Sequence, residues 1–376
     1  MTAVAAGLDG VVVAETVLSE VDGEAGRLLV RGLPVEELAG SVRFEEVARR
    51  LWEGLAPAAA NGPATAAEVQ AALGEARAAA FARTGELRRV AAEMPAVSAL
   101  RLGLASLRPR GDGNHYLAAA AIPVFAAAFD RARRGLPAVA PDPTLSQAAD
   151  FLRMLRGEPA SGAEVAALDA YLVTVAEHGM NASTFTARVV ASTRAGVLPA
   201  VIAALCALEG PLHGGAPGPV LDMLDALRGR AELRPWLVAE LAAGRRLMGY
   251  GHRNYRVRDP RAEVLRAQVA RLRAAAGDGA AAGGGRLALA EAVERAALAA
   301  LAELRPGRRI ETNVEFYTAV LLDALGIDRT LFTSVFAAGR VAGWTAHVFE
   351  QERTQRLIRP QSAYVGPRPA PAPVLA

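Results

Sequence analysis

The chain has no lysine. It has 376 residues and 42 basic side chains, and every one of those is arginine. A lysine Schiff base is therefore impossible, and so is the lysine of a phosphate-binding P-loop. Cysteine is nearly absent as well. Cys206 stands alone in an apolar helical run, so no internal disulfide can form, and it reads as a small packed hydrophobe. No apolar run reaches the ~18 residues of a membrane span. The longest, residues 116–129 and 195–208, each contain a proline. The beginning lacks a basic stretch leading into an apolar core, so no secretory signal is expected, and the cytoplasm is the expected location. The histidines are His115, His178, His213, His252 and His347. None pairs at i, i+4 and no cysteine cluster exists, so no metal site is expected. The formal net charge is only +3, with arginines interleaved among acids. That argues against a broad nucleic-acid surface, but leaves room for a basic pocket that takes a phosphorylated or multi-carboxylate ligand.

What is present is apolar and alanine-rich: 52% of residues are hydrophobic, enough for a large core, in a length that suits two domains or one with a lobe. Helical periodicity dominates, so the expected class is mainly α with a minor β element near the N-terminus. Residues 11–13 and 27–31 are short β-type runs with Asp22-Gly23 between them, which suggests a small hairpin. Ser161 and Glu164 have capping-box spacing ahead of Val165, Leu168, Leu172 and Val175. Residues 273–285, alanine and glycine beside arginines, read as a surface loop.

Several stretches carry chemistry. In Glu209-Gly210-Pro211-Leu212-His213-Gly214-Gly215 a histidine sits among glycines between two helical patterns. Glycine lets backbone approach a ligand closely, and a helix start nearby favours a neutral imidazole that can donate to a developing oxyanion. A structural loop histidine fits the same residues. His178, in Glu177-His178-Gly179-Met180-Asn181, breaks an apolar region with polar groups and fits either a ligand contact or a cap. His252 lies in a stretch, residues 248–261, with two glycines and four arginines, where Asp259-Pro260 marks a helix start. Glu315 enters an apolar helix beside Phe316 and Tyr317. It is a first-turn acid there or, if desolvated, a base of raised pKa. Arg340 is a charge inside an apolar helix and needs a partner.

Taken in order, these segments resemble the citrate synthase family over nearly the whole chain. The matching pieces are Gly7-Leu8-Asp9-Gly10-Val11-Val12 and residues 177–193, 210–217, 249–261, 313–317 and 340–351. The resemblance implies a mostly α homodimer, with a large helical domain (1–214 and 327–376) and a smaller one (215–326) that closes over the substrates. It implies that Glu315 takes a proton from acetyl-CoA, that His213 hydrogen-bonds the thioester oxygen, and that His252 serves the oxaloacetate carbonyl. His178, Arg261 and Arg340 would hold oxaloacetate, with Arg359 reaching across from the partner subunit. Met248, Gly249, Tyr250 and Gly251 would carry the adenine end of CoA, and Arg256, with Arg308 or Arg309, its phosphates. Acetyl-CoA would be a cosubstrate, and no permanently bound cofactor is implied. Glutamate replaces the family's usual aspartate at 315 and adds one methylene, about 1.5 Å of reach; some short bacterial members share Asn-Val-Glu-Phe here. The resemblance also covers 2-methylcitrate synthases that use propionyl-CoA. A non-catalytic member that binds CoA or oxaloacetate is the reading from a different class.

Overall fold

The computed structural model describes residues 6–8, 10–57, 65–109, 111–214, 217–252, 255, 257–276, 281–307 and 309–368. The chain opens with an antiparallel sheet of three short strands, β1 (Ser19–Asp22), β2 (Arg27–Val30) and β3 (Leu33–Pro34), in the order β1-β2-β3. The Asp22 carboxylate accepts from the amides of Glu24 and Ala25, and the register Asp22↔Arg27 closes the hairpin locally. The first strand is therefore not residues 11–13, as the β-type run suggested. Val12 is exposed, and the turn chemistry of Asp22 selects the segment just before it.

Helices follow. They are α1 (Val35–Leu38), α2 (Phe44–Trp52), α3 (Ala66–Phe81), α4 (Thr84–Ala92), α5 (Ala96–Ala105), α6 (Asn114–Arg133), α7 (Gln147–Arg156) and α8 (Gly162–Val175). After them come α9 (Ala182–Ser192), α10 (Val197–Leu208), α11 (Pro217–Leu227), α12 (Arg234–Ala242), α13 (Pro260–Ala276), α14 (Ala281–Leu304), α15 (Val314–Ala324) and α16 (Phe332–Thr354). The expected capping box forms: Ser161 accepts from the Glu164 amide while the Glu164 carboxylate accepts from the Ser161 amide. Residues 273–285 are not one loop. The helices α13 and α14 consume most of it, because alanine is the best helix former and outweighs the scattered glycines. Among the described residues, no helix is long and apolar enough to cross a membrane.

The core is built around α16, which is buried along almost its whole length and packs on α2, α6, α8, α9 and α10. Small residues permit this. A Cβ on Gly339 would meet Leu172 O at 2.8 Å, and one on Gly343 would meet Ala176 O at 2.3 Å, so α16 lies backbone-to-backbone against the end of α8. Helices α11 to α15 form a second layer, in which α15 packs on α11 and α13, and α13 also touches α8. Buried carboxylates cap helices distant in sequence: Asp169 accepts from the Phe44 amide at 2.8 Å and Glu45 from the Gln147 amide at 2.7 Å. Cys206 departs from expectation, because its thiol is exposed on the open face of α10.

His115, at the start of α6, lies wholly buried among Trp52, Tyr116 and Phe349, and neither ring nitrogen has a hydrogen-bond partner among the described residues. Burial pushes its pKa down to about 4, with the Asp112 main chain opposing only in part. A folded-state pKa below the unfolded one stabilises the fold above the unfolded value, and that contribution is lost as pH falls through it. Replacing His115 by Phe should therefore flatten acid sensitivity. Between about pH 7.5 and about pH 5, urea melts should show the wild type losing about 2 kcal/mol more than the variant. Parallel pH curves would refute the neutral, buried assignment.

Candidate active site

Four chain breaks converge beside α16. The first follows α8, where Gly179 turns the chain at φ +61 and Asn181 caps α9 by accepting from the Thr184 amide. His178 is set in this corner, buried, with its Nε2 3.2 Å from the Tyr255 hydroxyl. The second break follows α10. The Gly214 amide donates to Leu208 O, and a Cβ at Gly214 would meet that same carbonyl at 2.5 Å, so the turn that presents His213 requires glycine. His213 Nε2 lies 2.8 Å from the Ser183 hydroxyl, which also accepts from Trp344 Nε1. Burial pushes the His213 pKa down to about 4, and Arg340 adds to it. The ring is neutral, as the sequence suggested, and burial and a nearby cation account for this.

The third and fourth breaks are zipped together. The Gly251 amide donates to Glu311 O and the Asn313 amide to Gly249 O, while Asn313 Nδ2 donates to Gly251 O at 2.7 Å. Gly249 has φ +88 and lies against Phe316, where a Cβ would fall 2.8 Å from the Phe316 Cβ. This clip holds His252 on one arm and Glu315 on the other. His252 Nδ1 accepts from the Tyr255 amide at 3.1 Å, and its Nε2 faces Arg261 Nη2 at 3.2 Å. Both neighbours are donors and oppose an imidazolium. Burial, then Arg261, brings the His252 pKa down to about 4 against the pull of Asp259. Glu315 stands in the first turn of α15, its amide donating to the Asn313 side chain. The residue is half-buried, and its Oε2 is enclosed with no hydrogen-bond partner among the described residues. Burial raises the Glu315 pKa to about 7; Arg261 and Arg340 oppose the rise, and Asp259 supports it.

Arg340 is 1% exposed. Its Nε donates to Val175 O at 2.5 Å, and the guanidinium lies over Phe336, 4.8 Å from the ring centre. Among the described residues no carboxylate pairs with its terminal nitrogens, and a buried cation of this kind is costly without an anionic partner. Arg261, by contrast, is paired: Asp259 takes its Nε and Nη2, both at 3.0 Å, and its amide at 3.1 Å. Asp259 also accepts from the Val314 amide at 3.0 Å, which ties the start of α13 to the start of α15.

Beside His252 opens a cleft of about 1050 Å³, walled by Tyr250, Gly251, His252 and Asn313, with Arg245, Arg246, Arg305 and Arg309 around it. Met248 and Gly249 do not line it; Gly249 serves through the clip. Arg256 and Arg308 lie outside the described residues. Arg359 is exposed in the segment after α16 and, among the described residues, makes no hydrogen bond or ion pair. The structure thus gathers His178, His213, His252, Arg261, Glu315 and Arg340, but not Arg359. Sequence reasoning passed over Tyr255, Asp259, Ser183 and Trp344. Asp259 had a signal, the Asp-Pro helix start, and Tyr255 stood within the same stretch. No group of side chains among the described residues could hold a metal ion. The arrangement offers a carboxylate base, three neutral imidazoles and a buried cation without a carboxylate partner among the described residues, which suits enolisation of a carbonyl compound in the presence of an anion.

The family model described as "Citrate synthase, C-terminal domain" matches residues 7–361. The citrate synthase of Haloferax volcanii is 36% identical over 373 residues, covering 96% of this chain and 95% of its own. A 2-methylcitrate synthase of Mycobacterium tuberculosis is 35% identical over 374 residues, covering 96% and 90%. Among solved structures, the Thermoplasma acidophilum citrate synthase, in ternary complex with carboxymethyl coenzyme A and oxaloacetate, superposes with a TM-score of 0.83 at 26% identity, covering 99% of each chain.

Replacing Asp259 by Ala should cost about 3–5 kcal/mol in urea denaturation, because it leaves the buried Arg261 guanidinium uncompensated. A loss below ~1 kcal/mol would show that the clamp is not structural.

Proposed function

The chain belongs to the citrate synthase family, and from that premise we propose that it condenses acetyl-CoA with oxaloacetate and hydrolyses the product to citrate and CoA. Glu315 removes a proton from the acetyl methyl group, and His213 hydrogen-bonds the thioester oxygen as the enol or enolate forms. The nucleophilic carbon attacks the oxaloacetate carbonyl, whose oxygen is protonated through His252, with the proton that Glu315 removed restoring the neutral imidazole. Water then cleaves the citryl thioester and releases CoA. His178, Arg261 and Arg340 bind oxaloacetate, and Arg359 completes the site from the partner subunit of a cytoplasmic homodimer. Residues 215–326 form the small domain that closes on residues 1–214 and 327–376. The backbone of Tyr250 and Gly251, which line the cleft, carries the adenine part of CoA, and Arg256 faces its phosphates. Acetyl-CoA enters as a cosubstrate, with no permanently bound cofactor.

The observation that carries this reading is Glu315. Its pKa is raised to about 7 by burial, while the histidines around it are held neutral. A base near neutrality opposite neutral hydrogen-bond donors is the pattern that proton abstraction beside a carbonyl requires. The 2-methylcitrate synthase relative keeps propionyl-CoA as the competing acyl donor.

Thiol release is the direct test, followed with acetyl-CoA and propionyl-CoA, with and without oxaloacetate. Faster oxaloacetate-dependent release from acetyl-CoA is expected. Faster release from propionyl-CoA would reassign the product to 2-methylcitrate, and none from either would leave a binding protein. Glu315→Gln should cut turnover at least ~100-fold while sparing oxaloacetate binding. Because the base must be ionised, kcat/KM should rise with pH through about 7. Unchanged turnover in Glu315→Gln would remove this residue from the mechanism.

A further inference from the structure

His347 lies on α16 about two turns beyond Arg340. It takes no part in the chemistry above, yet it is wholly buried and both ring nitrogens are engaged. Its Nδ1 is 3.0 Å from Arg188 Nη1, and its Nε2 is 3.1 Å from Glu177 Oε1. A guanidinium can only donate, so Nδ1 accepts, and the single proton of the neutral ring sits on Nε2, facing Glu177. Arg188 is itself fixed, by Glu350 Oε2 at 2.5 Å and Gln351 Oε1 at 3.1 Å.

Glu177 Oε1 gathers two more donors, the Gly179 amide at 2.7 Å and the Ser19 hydroxyl at 2.8 Å. Gly179 is the residue at φ +61, so the carboxylate grips the far side of the corner that holds His178. The second oxygen, Oε2, is enclosed with no hydrogen-bond partner among the described residues. A Cβ on Gly343 would come within 2.4 Å of it, so the space for Glu177 exists only because 343 is glycine. A buried carboxylate with one satisfied oxygen keeps its orientation only while those donors stay in place.

We propose that His347 is a positioning residue for His178: Arg188 sets its tautomer, its Nε2–H anchors Glu177, and Glu177 holds the left-handed corner that presents His178 to oxaloacetate. This rests on the oxaloacetate site proposed above. The relay depends on polarity rather than bulk. Glutamine at 347 can offer an N–H to Glu177 and a carbonyl to Arg188, whereas leucine can offer neither.

The test is oxaloacetate affinity by titration calorimetry, together with kcat and KM, in wild type, His347→Leu, His347→Gln and Ser19→Ala, with thermal melts alongside. His347→Leu should weaken oxaloacetate binding and raise its KM about tenfold with kcat changed by less than about threefold, and His347→Gln should stay within about threefold of wild type throughout. If His347→Leu melts earlier yet binds oxaloacetate as the wild type does, the residue is structural and the relay is overturned. Equal losses in His347→Gln and His347→Leu also overturn it. Should His347→Leu fail to fold, Ser19→Ala decides, because it removes a donor to the same oxygen from outside the helical core: weaker binding supports the relay and unchanged binding overturns it. A wild-type protein that binds no oxaloacetate overturns the site reading and the relay with it, an outcome distinct from the relay failing alone.

Discussion

The site is arranged around one buried cation. Arg340 sits inside α16 with its Nε on Val175 O and, among the described residues, no carboxylate against its terminal nitrogens. Burial lowers its pKa to about 10, against the pull of Glu177, so it stays charged at neutral pH. Its field helps burial to depress His178 and His213, and it opposes the rise at Glu315. Holding such a charge in a packed core costs several kcal/mol unless an anion arrives. A dicarboxylate substrate would supply that anion, so affinity and the electrostatics of the site would follow from the same residue. Gly339 and Gly343 are part of this constraint, since only glycine lets α16 come near enough to the end of α8 for Arg340 to reach Val175 O.

The acid–base groups separate by environment. Three imidazoles are buried near arginines and lose their charge. One carboxylate is buried close to Asp259 as well as to Arg261 and Arg340, and it settles near neutrality. Environments that drive titratable groups apart in this way are the pattern that acid–base chemistry near neutral pH uses. Glutamate rather than aspartate at 315 lengthens the reach, and misplacement on the order of 1 Å can cost ~100-fold in rate. The clip limits that freedom. Asn313 binds both the Glu315 amide and Gly251 O, so the base and His252 share one rigid support.

Local chemistry was legible in the sequence and long-range partnership was not. The capping box at Ser161 and the proline start of α13 each lie within a few residues and came out as read. So did the glycine-rich settings of His213 and His252, and the mainly helical class. The contacts that give these residues their properties join segments far apart: Ser183 to His213, Tyr255 to His178, Asp259 to Val314. No periodicity encodes them. Cys206 was misread because an apolar helix looks alike on its covered and open faces.

The small sheet bears on function more than its size suggests. His178, His213 and Arg340 belong to the corners around α8, α10 and α16, whereas His252, Arg261 and Glu315 belong to the clip. The Tyr255 hydroxyl bridges the two groups at His178. The hairpin touches both as well. Ser19 donates to Glu177, and a Cβ on Gly179 would meet Val21 at 3.2 Å. At the hairpin's other end Gly26, at φ +63, lies so close to residues 257 and 258 that a Cβ would fall 2.8 Å from Arg258 O. A hairpin alone is marginal in water; this one is anchored by Leu18, Leu28 and Val30, buried in the core, as well as by these contacts. It thus touches both the corner of His178 and the approach to Arg261, although none of the candidate site residues lies on it.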